Sequence, residues 1–221
     1  MRITVFGATG AVGGRVVAEA VSRGHEVTAV VRDPARLPLP AVGRGSARLP
    51  LPHAVVGDAS DVADVVRLSR GQDLVVSATR PAPGREADLV TTAKALLAGV
   101  AETGVRLLLV GGAAGLTVPG GGGRTVVESP GFPPSWRPIA LACNAQFEVC
   151  RAEERADWTY LSPPALIEPG ERTGRYRLGR DELVVDAAGR SAISMEDFAV
   201  ALLDEAETPA HRRMRFTVAY Q

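Results

Sequence analysis

The stretch that decides the fold opens the chain: Arg2-Ile3-Thr4-Val5-Phe6-Gly7-Ala8-Thr9-Gly10-Ala11-Val12-Gly13. It begins as an apolar strand, and the glycine-rich turn that follows at once opens a helix, which is the context of a dinucleotide-binding turn. Gly7 permits the sharp turn, Gly10 leaves room for a pyrophosphate, and Gly13 or the glycine after it lets helix and strand pack closely. Free N–H groups at a helix N-terminus attract phosphates. We therefore expect a bound nicotinamide dinucleotide here rather than a turn without a ligand.

The chain beyond this turn alternates short apolar runs with amphipathic segments. We expect strands at Arg2–Phe6, Glu26–Val31, Ala54–Val56, Leu74–Ser77, Arg106–Val110 and Trp158–Leu161, and helices at Val12–Arg23, Ser60–Ser69, Glu86–Thr103 and Pro138–Arg155. This alternation predicts an α/β fold of the Rossmann type, a doubly wound parallel sheet covered by helices on both faces. Long loops interrupt the pattern at 33–53, 111–137 and 163–174. The last two follow strand C-termini, where such sheets bind their ligands.

The length of 221 residues fits one NAD(P)-binding domain over 1–221. Its C-terminal part, roughly 163–221, is expected to form a small elaboration on the substrate side. There, Leu183-Val184-Val185 predicts a short strand, and Met214–Ala219 predicts a closing strand. Ser194 is a candidate N-cap, because an apolar helical run follows it.

Composition argues against several functional classes. The formal net charge is zero, so nothing suggests a nucleic-acid or anionic-membrane partner, and no apolar run reaches membrane-spanning length. Cys143 and Cys150 lie seven residues apart on a predicted helix, too far for a disulfide. The chain also opens directly into a strand, so we expect a cytoplasmic protein without a signal peptide. His25 and His53 lack neighbouring ligands, which predicts no metal site, and His211 is expected to be solvated.

The end of the second strand bears on the choice between NADPH and NADH. An NAD site usually has an acid there for the ribose 2′-hydroxyl, whereas this chain has Arg32 and then Asp33. A guanidinium suits a 2′-phosphate in charge and in geometry. We therefore expect NADPH, with NADH the less favoured cofactor, although Arg32 as an ordinary solvated charge is the alternative.

Two further strand ends carry candidate cofactor contacts. Asp58 follows the third strand and is expected either to accept a hydrogen bond from the adenine amino group or to cap the next helix. Ser77, Ala78, Thr79 and Arg80 end the fourth strand. Small residues at this point would let the nicotinamide ribose lie close to the backbone, and an ordinary turn before a proline is the alternative.

Several stretches together resemble one known family. They are Gly7–Gly13, Val30–Asp33, Val56–Asp58, Gly71–Asp73, Gly111–Gly115, Asp157–Pro164, Thr173–Arg177, Ile193–Asp197 and Arg215–Thr217. The sequence resembles atypical short-chain dehydrogenases/reductases of the NmrA-like NAD(P)-binding group, above all the biliverdin reductase B/flavin reductase type and bacterial NADH-flavin reductases. The resemblance covers nearly the whole chain. Its most specific parts are Trp-Thr-Tyr-Leu-Ser-Pro-Pro at 158–164 and Arg-Phe-Thr at 215–217.

The resemblance implies a monomeric or homodimeric Rossmann protein that presents NADPH to a small-molecule acceptor. Carried over residue by residue, the cofactor contacts are Gly7, Thr9, Gly10, Ala11, Val12, Arg32, Asp58, Ser77, Ala78, Thr79, Arg80 and Gly111. The sequence departs from typical short-chain dehydrogenases in lacking Tyr-x-x-x-Lys, since its one lysine is Lys94. Gly111 and Gly112 stand where the fifth strand would deliver the catalytic serine.

These departures favour a conjugated acceptor such as a flavin or quinone. A ketone needs a proton donor worth about 10²- to 10⁴-fold in rate, whereas a conjugated acceptor spreads the charge and takes its proton from solvent. Tyr176 and Asn144 are the remaining candidates for a catalytic role. Phe132 and Trp136, in the loop after the fifth strand, are candidates for stacking on a flat substrate, or else they anchor that loop.

Two other functions stay open at this stage. A tailoring reductase acting on aromatic polyketide-like ketones would need a hidden acid such as Tyr176. A non-catalytic redox sensor of the NmrA type would bind NAD(P) and engage a partner, and the missing Tyr and Lys fit that function too. Sensors of this type commonly have a larger C-terminal region than this chain provides.

Overall fold

A computed structural model describes residues 1–33 and 52–221. Its strands are β1 (Arg2–Phe6), β2 (Glu26–Val31), β3 (His53–Val56), β4 (Leu74–Ser77), β5 (Arg106–Val110), β6 (Trp158–Ser162), β7 (Leu166–Glu168), β8 (Arg177–Gly179), β9 (Ala192–Ser194) and β10 (Met214–Ala219). Its helices are α1 (Ala11–Ser22), α2 (Val62–Ser69), α3 (Asp88–Thr103), α4 (Arg137–Arg151) and α5 (Met195–Glu207). Most of the predicted loop over 33–53 lies outside these ranges. None of the helices described is long and apolar enough to cross a bilayer.

Eight strands form one sheet in the order β3-β2-β1-β4-β5-β6-β10-β8. Every neighbouring pair is parallel except β10 and β8, which are antiparallel. The chain winds outward from β1 to β3 and then returns to place β4 on the other side of β1. This reversal between β1 and β4 is the topological switch point, where sheets of this kind bind dinucleotides beyond the strand C-termini. A small second sheet pairs β7 with β9.

Helices cover both faces of the sheet. On one face α1 packs against α5, and on the other α2, α3 and α4 lie side by side. Helices α1 and α5 run parallel, because Arg15 pairs with Glu196 near their N-termini and Arg23 pairs with Asp204 near their C-termini. Both helices therefore begin at the edge of the sheet where the strands of the dinucleotide half end.

The predicted doubly wound core is confirmed. All six predicted strands are present with bounds that agree within one residue. Helix α2 begins at Val62 rather than at Ser60, because the side chain of Asp61 accepts hydrogen bonds from two backbone N–H groups and is the N-cap. Helix α4 ends at Arg151, four residues before the predicted end.

The C-terminal predictions have a mixed outcome. Ser194 is confirmed as the N-cap of α5, since its Oγ accepts a hydrogen bond from the Asp197 N–H at 3.0 Å, and the closing strand is β10. The predicted strand at 183–185 is wrong. Leu183 and Val184 are buried as loop residues, and Leu183 donates its N–H to the carbonyl of Thr117 instead of entering a ladder. Beside β6, the strand that borders β10 is β8, a partly exposed segment whose apolar pattern is weaker.

Candidate functional site

The glycine turn between β1 and α1 lies against the end of β4. Gly7 has φ of 81°, and a Cβ placed on it would lie 2.5 Å from the carbonyl oxygen of Ala78. A Cβ on Gly13 would lie 2.8 Å from the carbonyl carbon of Gly7. Both positions therefore exclude a side chain, because backbone cannot move aside as a flexible side chain can. The turn is a close-packed junction of β1, α1 and β4 at the switch point.

The start of α1 has no side-chain cap and faces the crevice, by which we mean the space beyond the C-terminal ends of β1 and β4. Gly10 is the N-cap residue and makes no capping hydrogen bond, and Thr9, Gly10 and Ala11 are exposed. The positive end of the helix dipole is therefore accessible at the edge of the sheet. This arrangement fits the pyrophosphate of a dinucleotide, whose oxygens accept hydrogen bonds from backbone N–H groups.

The candidate adenosine end lies beside β2 and β3. Arg32 is exposed directly after the last residue of β2. The carboxylate of Asp58 accepts hydrogen bonds from both the N–H and the hydroxyl of Ser60, at 2.8 and 2.7 Å. Asp64 in turn accepts the N–H of Asp58 at 2.9 Å, so the turn is held from both sides. Asp58 thus stabilises this turn and does not cap α2, a function that belongs to Asp61.

The end of β4 continues the crevice towards β5. Ser77 is buried and its hydroxyl lies 3.1 Å from that of Thr79, while Ala78 donates its N–H to the carbonyl of Phe6. Arg80 is exposed two residues farther on. The backbone at Ala78 and Thr79 therefore lies next to the glycine turn, as a ribose site at this strand end requires.

The end of β5 is built from backbone alone. A Cβ on Gly111 would lie 2.5 Å from the hydroxyl oxygen of Tyr160 and still closer to its ring carbons. A Cβ on Gly112 would lie 2.7 Å from the Cβ and 2.9 Å from the Sγ of Cys143. Typical short-chain dehydrogenases carry a serine at this strand end. Here Tyr160 of β6 and Cys143 of α4 occupy the space that a side chain on Gly111 or Gly112 would need.

Both of these polar side chains stay protonated near neutral pH. Burial raises the pKa of the Cys143 thiol to about 11, and the neighbouring charge of Arg80 opposes this shift only in part. Burial also raises the pKa of Tyr160 well above its ordinary value. Neither group is therefore ready to ionise beside the β5 end.

Comparison with known proteins identifies the group to which this chain belongs. The sequence model of the family described as NAD(P)H-binding matches residues 7–209. The chain belongs to the NAD(P)H-binding family. The uncharacterized protein YwnB of Bacillus subtilis is 36% identical over 228 residues, which span 99% of this chain and 98% of that protein. The resemblance to NmrA-like atypical short-chain dehydrogenases/reductases is confirmed.

Two solved structures extend the comparison. One, from Burkholderia pseudomallei and named a "putative exported protein", is 40% identical with a TM-score of 0.86, and each chain is fully covered. The other, from Streptococcus pneumoniae TIGR4 and named a "putative NADH-flavin reductase", is 28% identical with a TM-score of 0.85, again over the whole of both chains. The NAD(P)H-binding fold is therefore shared from end to end.

The predicted substrate residues occupy different environments in this member of the NAD(P)H-binding family. Phe132 packs on the small buried cluster of Ala114, Val127 and Ala140, so it anchors the loop after β5. Trp136 is 56% exposed just before α4. Phe132 therefore anchors the loop, while stacking of Trp136 on a flat substrate stays a prediction.

The two candidate catalytic residues also separate. Asn144 lies at the loop after β5, because a Cβ on Gly115 would be 2.8 Å from its Oδ1. Tyr176 donates its hydroxyl to Asp204, which pairs with Arg23 beyond the C-terminal end of α1. The hydroxyl is therefore engaged by a carboxylate on the face of the sheet that α1 and α5 cover, whereas Gly111 and Gly112 are backed by Tyr160 and Cys143. Burial and the Asp204 carboxylate also raise its pKa.

Sequence reasoning missed one residue of the site, Tyr160. No lysine follows it at the spacing of a catalytic tyrosine, so the short-chain dehydrogenase motif does not point to it. The Gly111-Gly112 pair at a strand end was a signal that something large lies behind it. Nothing in the sequence indicated which residue fills that space, because Tyr160 follows on the neighbouring strand 49 positions later.

Proposed function

We propose that this protein is an NADPH-dependent oxidoreductase that passes a hydride to a conjugated acceptor, either a flavin or a quinone-like aromatic compound. The observation that carries the proposal is the end of β5. Gly111 and Gly112 present only backbone to the crevice there, and the groups behind them are a buried phenol and a thiol with a pKa of about 11. Such a site favours an acceptor that needs no positioned acid.

The residues of the switch point fit the cofactor, because the glycine turn and the open start of α1 leave space and N–H donors for a pyrophosphate. When bound, the reduced nicotinamide supplies a hydride, and a flavin or quinone would take it up together with one solvent proton. The chain's contribution is to hold the two rings together and to exclude water. We assign the cofactor contacts to Gly7, Thr9, Gly10, Ala11, Val12, Arg32, Asp58, Ser77, Ala78, Thr79, Arg80 and Gly111.

The preference for NADPH rests on Arg32. Its guanidinium is exposed at the end of β2, where the ribose of the adenosine half would lie, and it can pair bidentately with a 2′-phosphate. The acceptor side is assigned to Trp136, with Phe132 holding the loop behind it and Asn144 facing the same loop. We take the protein to be an enzyme of the cytoplasm acting on a small molecule.

The test is turnover. Purified protein, NADPH and a panel of flavins, quinones and dichlorophenol-type dyes are mixed, and the absorbance of the reduced cofactor is followed. We expect oxidation of NADPH with at least one conjugated acceptor and faster turnover than with NADH. Tight NADP(H) binding without turnover would favour the redox sensor, and turnover with aromatic ketones alone would favour the tailoring reductase.

A further inference from the structure

Tyr160 fills the space behind the β5 end and is 1% exposed. Its ring lies where a side chain of Gly111 would be, and it packs on Phe147 with 4.9 Å between ring centroids. A side chain so enclosed cannot rotate away without opening the core between β6 and α4. The Tyr160 ring therefore sets how closely the backbone after β5 can approach β6, because Gly111 has no side chain to do so.

The hydroxyl of Tyr160 joins three elements of the fold. Its oxygen lies 3.0 Å from the carbonyl oxygen of Cys143 and 3.1 Å from Oε1 of Gln146, both on α4, and it can donate to either. It also accepts the N–H of Gly112 at 3.4 Å. Gln146 is itself 1% exposed. One phenol on β6 thus ties the loop after β5 to the middle of α4.

We propose that Tyr160 is a positioning residue that fixes the Gly111-Gly112 backbone against which the nicotinamide ring packs. This inference rests on the proposed function and adds a residue to it. The phenol is enclosed by the protein and does not touch the reacting atoms, so it acts only through the backbone it supports. Because burial raises the pKa of this phenol, its hydroxyl stays protonated near neutral pH and keeps its contacts to α4 and Gly112.

Tyr160→Phe tests the proposal, because it keeps the ring and removes the hydroxyl. Tyr220→Phe is the matched control. The Tyr220 hydroxyl also has three hydrogen-bond contacts, to the N–H and Oγ of Ser194 and to Asp197, but these lie on the α5 face of the sheet. Both variants should lose comparable stability, which thermal melting measures. Only the Tyr160 change should reach the β5 end.

The readout that does not need catalysis is the fluorescence of bound NADPH. We expect Tyr160→Phe to bind NADPH within about 2-fold of the parent, because the substitution leaves the proposed phosphate site at the start of α1 and the adenosine site at β2 unchanged. The nicotinamide emission of the complex should shift towards that of free NADPH. With a working acceptor, kcat should fall at least about 10-fold, since sub-ångström misplacement is costly, while KM for NADPH stays unchanged. Tyr220→Phe should show neither change.

Unchanged emission and kcat in Tyr160→Phe, with the same loss of melting temperature as the control, would overturn the inference. If Tyr160→Phe does not fold, Gln146→Met is read in the same way, since it removes one α4 partner and retains the phenol. If the parent protein turns over no acceptor, the proposed function is wrong. The emission of bound NADPH still tests whether Tyr160 positions the Gly111-Gly112 backbone.

Discussion

The carbonyl oxygen of Ala78 lies 2.5 Å from the point where a side chain on Gly7 would begin. This contact joins the turn after β1 to the end of β4, the two strands between which the sheet reverses its order. The glycine is needed for two separate reasons, a left-handed backbone and a close neighbour. The junction therefore bears both on folding and on the space left for a dinucleotide.

Gly7→Ala should destabilise the protein and abolish cofactor binding together. The new methyl group would clash with the backbone of Ala78. The alanine would also have to keep φ near 81°, a strained conformation for a residue with a side chain, at a cost of about 1–3 kcal/mol for the strain alone. Urea denaturation and NADPH titration check this. Gly24→Ala is the control, because φ is 79° there with no atom within 4 Å. Equal effects of the two changes would contradict the close-contact argument.

Arg32→Ala should weaken NADPH binding about 10- to 100-fold, the range for losing a charge-assisted bidentate contact, and leave NADH binding unchanged. Fluorescence titration with both cofactors measures the difference. Arg70→Ala is the control, since Arg70 is an exposed arginine that pairs with Glu102 on the α2–α3 side. Parallel losses for the two cofactors would show that Arg32 does not read the 2′-phosphate.

Trp136→Ala should raise KM for an aromatic acceptor about 5- to 10-fold, the worth of an aromatic stacking contact, with the affinity for NADPH intact. Leu141→Ala serves as the comparison, because Leu141 is 50% exposed on α4 and is also apolar. Steady-state kinetics at saturating NADPH separates the two variants. If KM rises equally in both, Trp136 is part of a general apolar surface and not a specific wall.

Glu205→Gln should cost about 3–5 kcal/mol at pH 7, the penalty for breaking a buried ion pair. Glu205 is 5% exposed and pairs with Arg106 and His211, so the expectation that His211 is solvated is wrong. Urea denaturation at several pH values measures the difference between variant and parent. Exposed Glu148→Gln, which breaks a surface pair with Arg151, should cost no more than about 1 kcal/mol.

The sign of the pH dependence for Glu205 follows from its pKa. Burial raises this pKa, but hydrogen bonds from His211, Arg106 and Ala210 outweigh burial and hold it below the ordinary value. The stabilisation is therefore fully present above the unfolded pKa of about 4.3 and is lost as pH falls through the folded pKa. The gap between parent and Glu205→Gln should shrink as the solution is made acidic. A gap that grows in acid would contradict the assignment.

The parts of this protein that the sequence determined are those encoded by neighbours along the chain. A strand followed at once by glycines at 7, 10 and 13 fixes the turn, and apolar periodicity fixes the six core strands. The Ser194 cap of α5 was readable for the same reason, since its partner is three residues away. These features depend on backbone geometry and local hydrogen bonds, which a short window of sequence contains.

Only the tertiary structure decided what lies behind and around the strand ends. It placed Tyr160 beneath Gly111, and it drew the hydroxyl of Tyr176 to Asp204 on α5. It also left Leu183 and Val184 buried in a loop. Their apolar character indicates that the side chains are buried and does not show that the segment pairs with a strand. Each outcome depends on residues far apart in the chain that meet when the sheet closes. Periodicity reports which side chains are buried, whereas the contacts that select a backbone position or a proton donor arise from packing between elements.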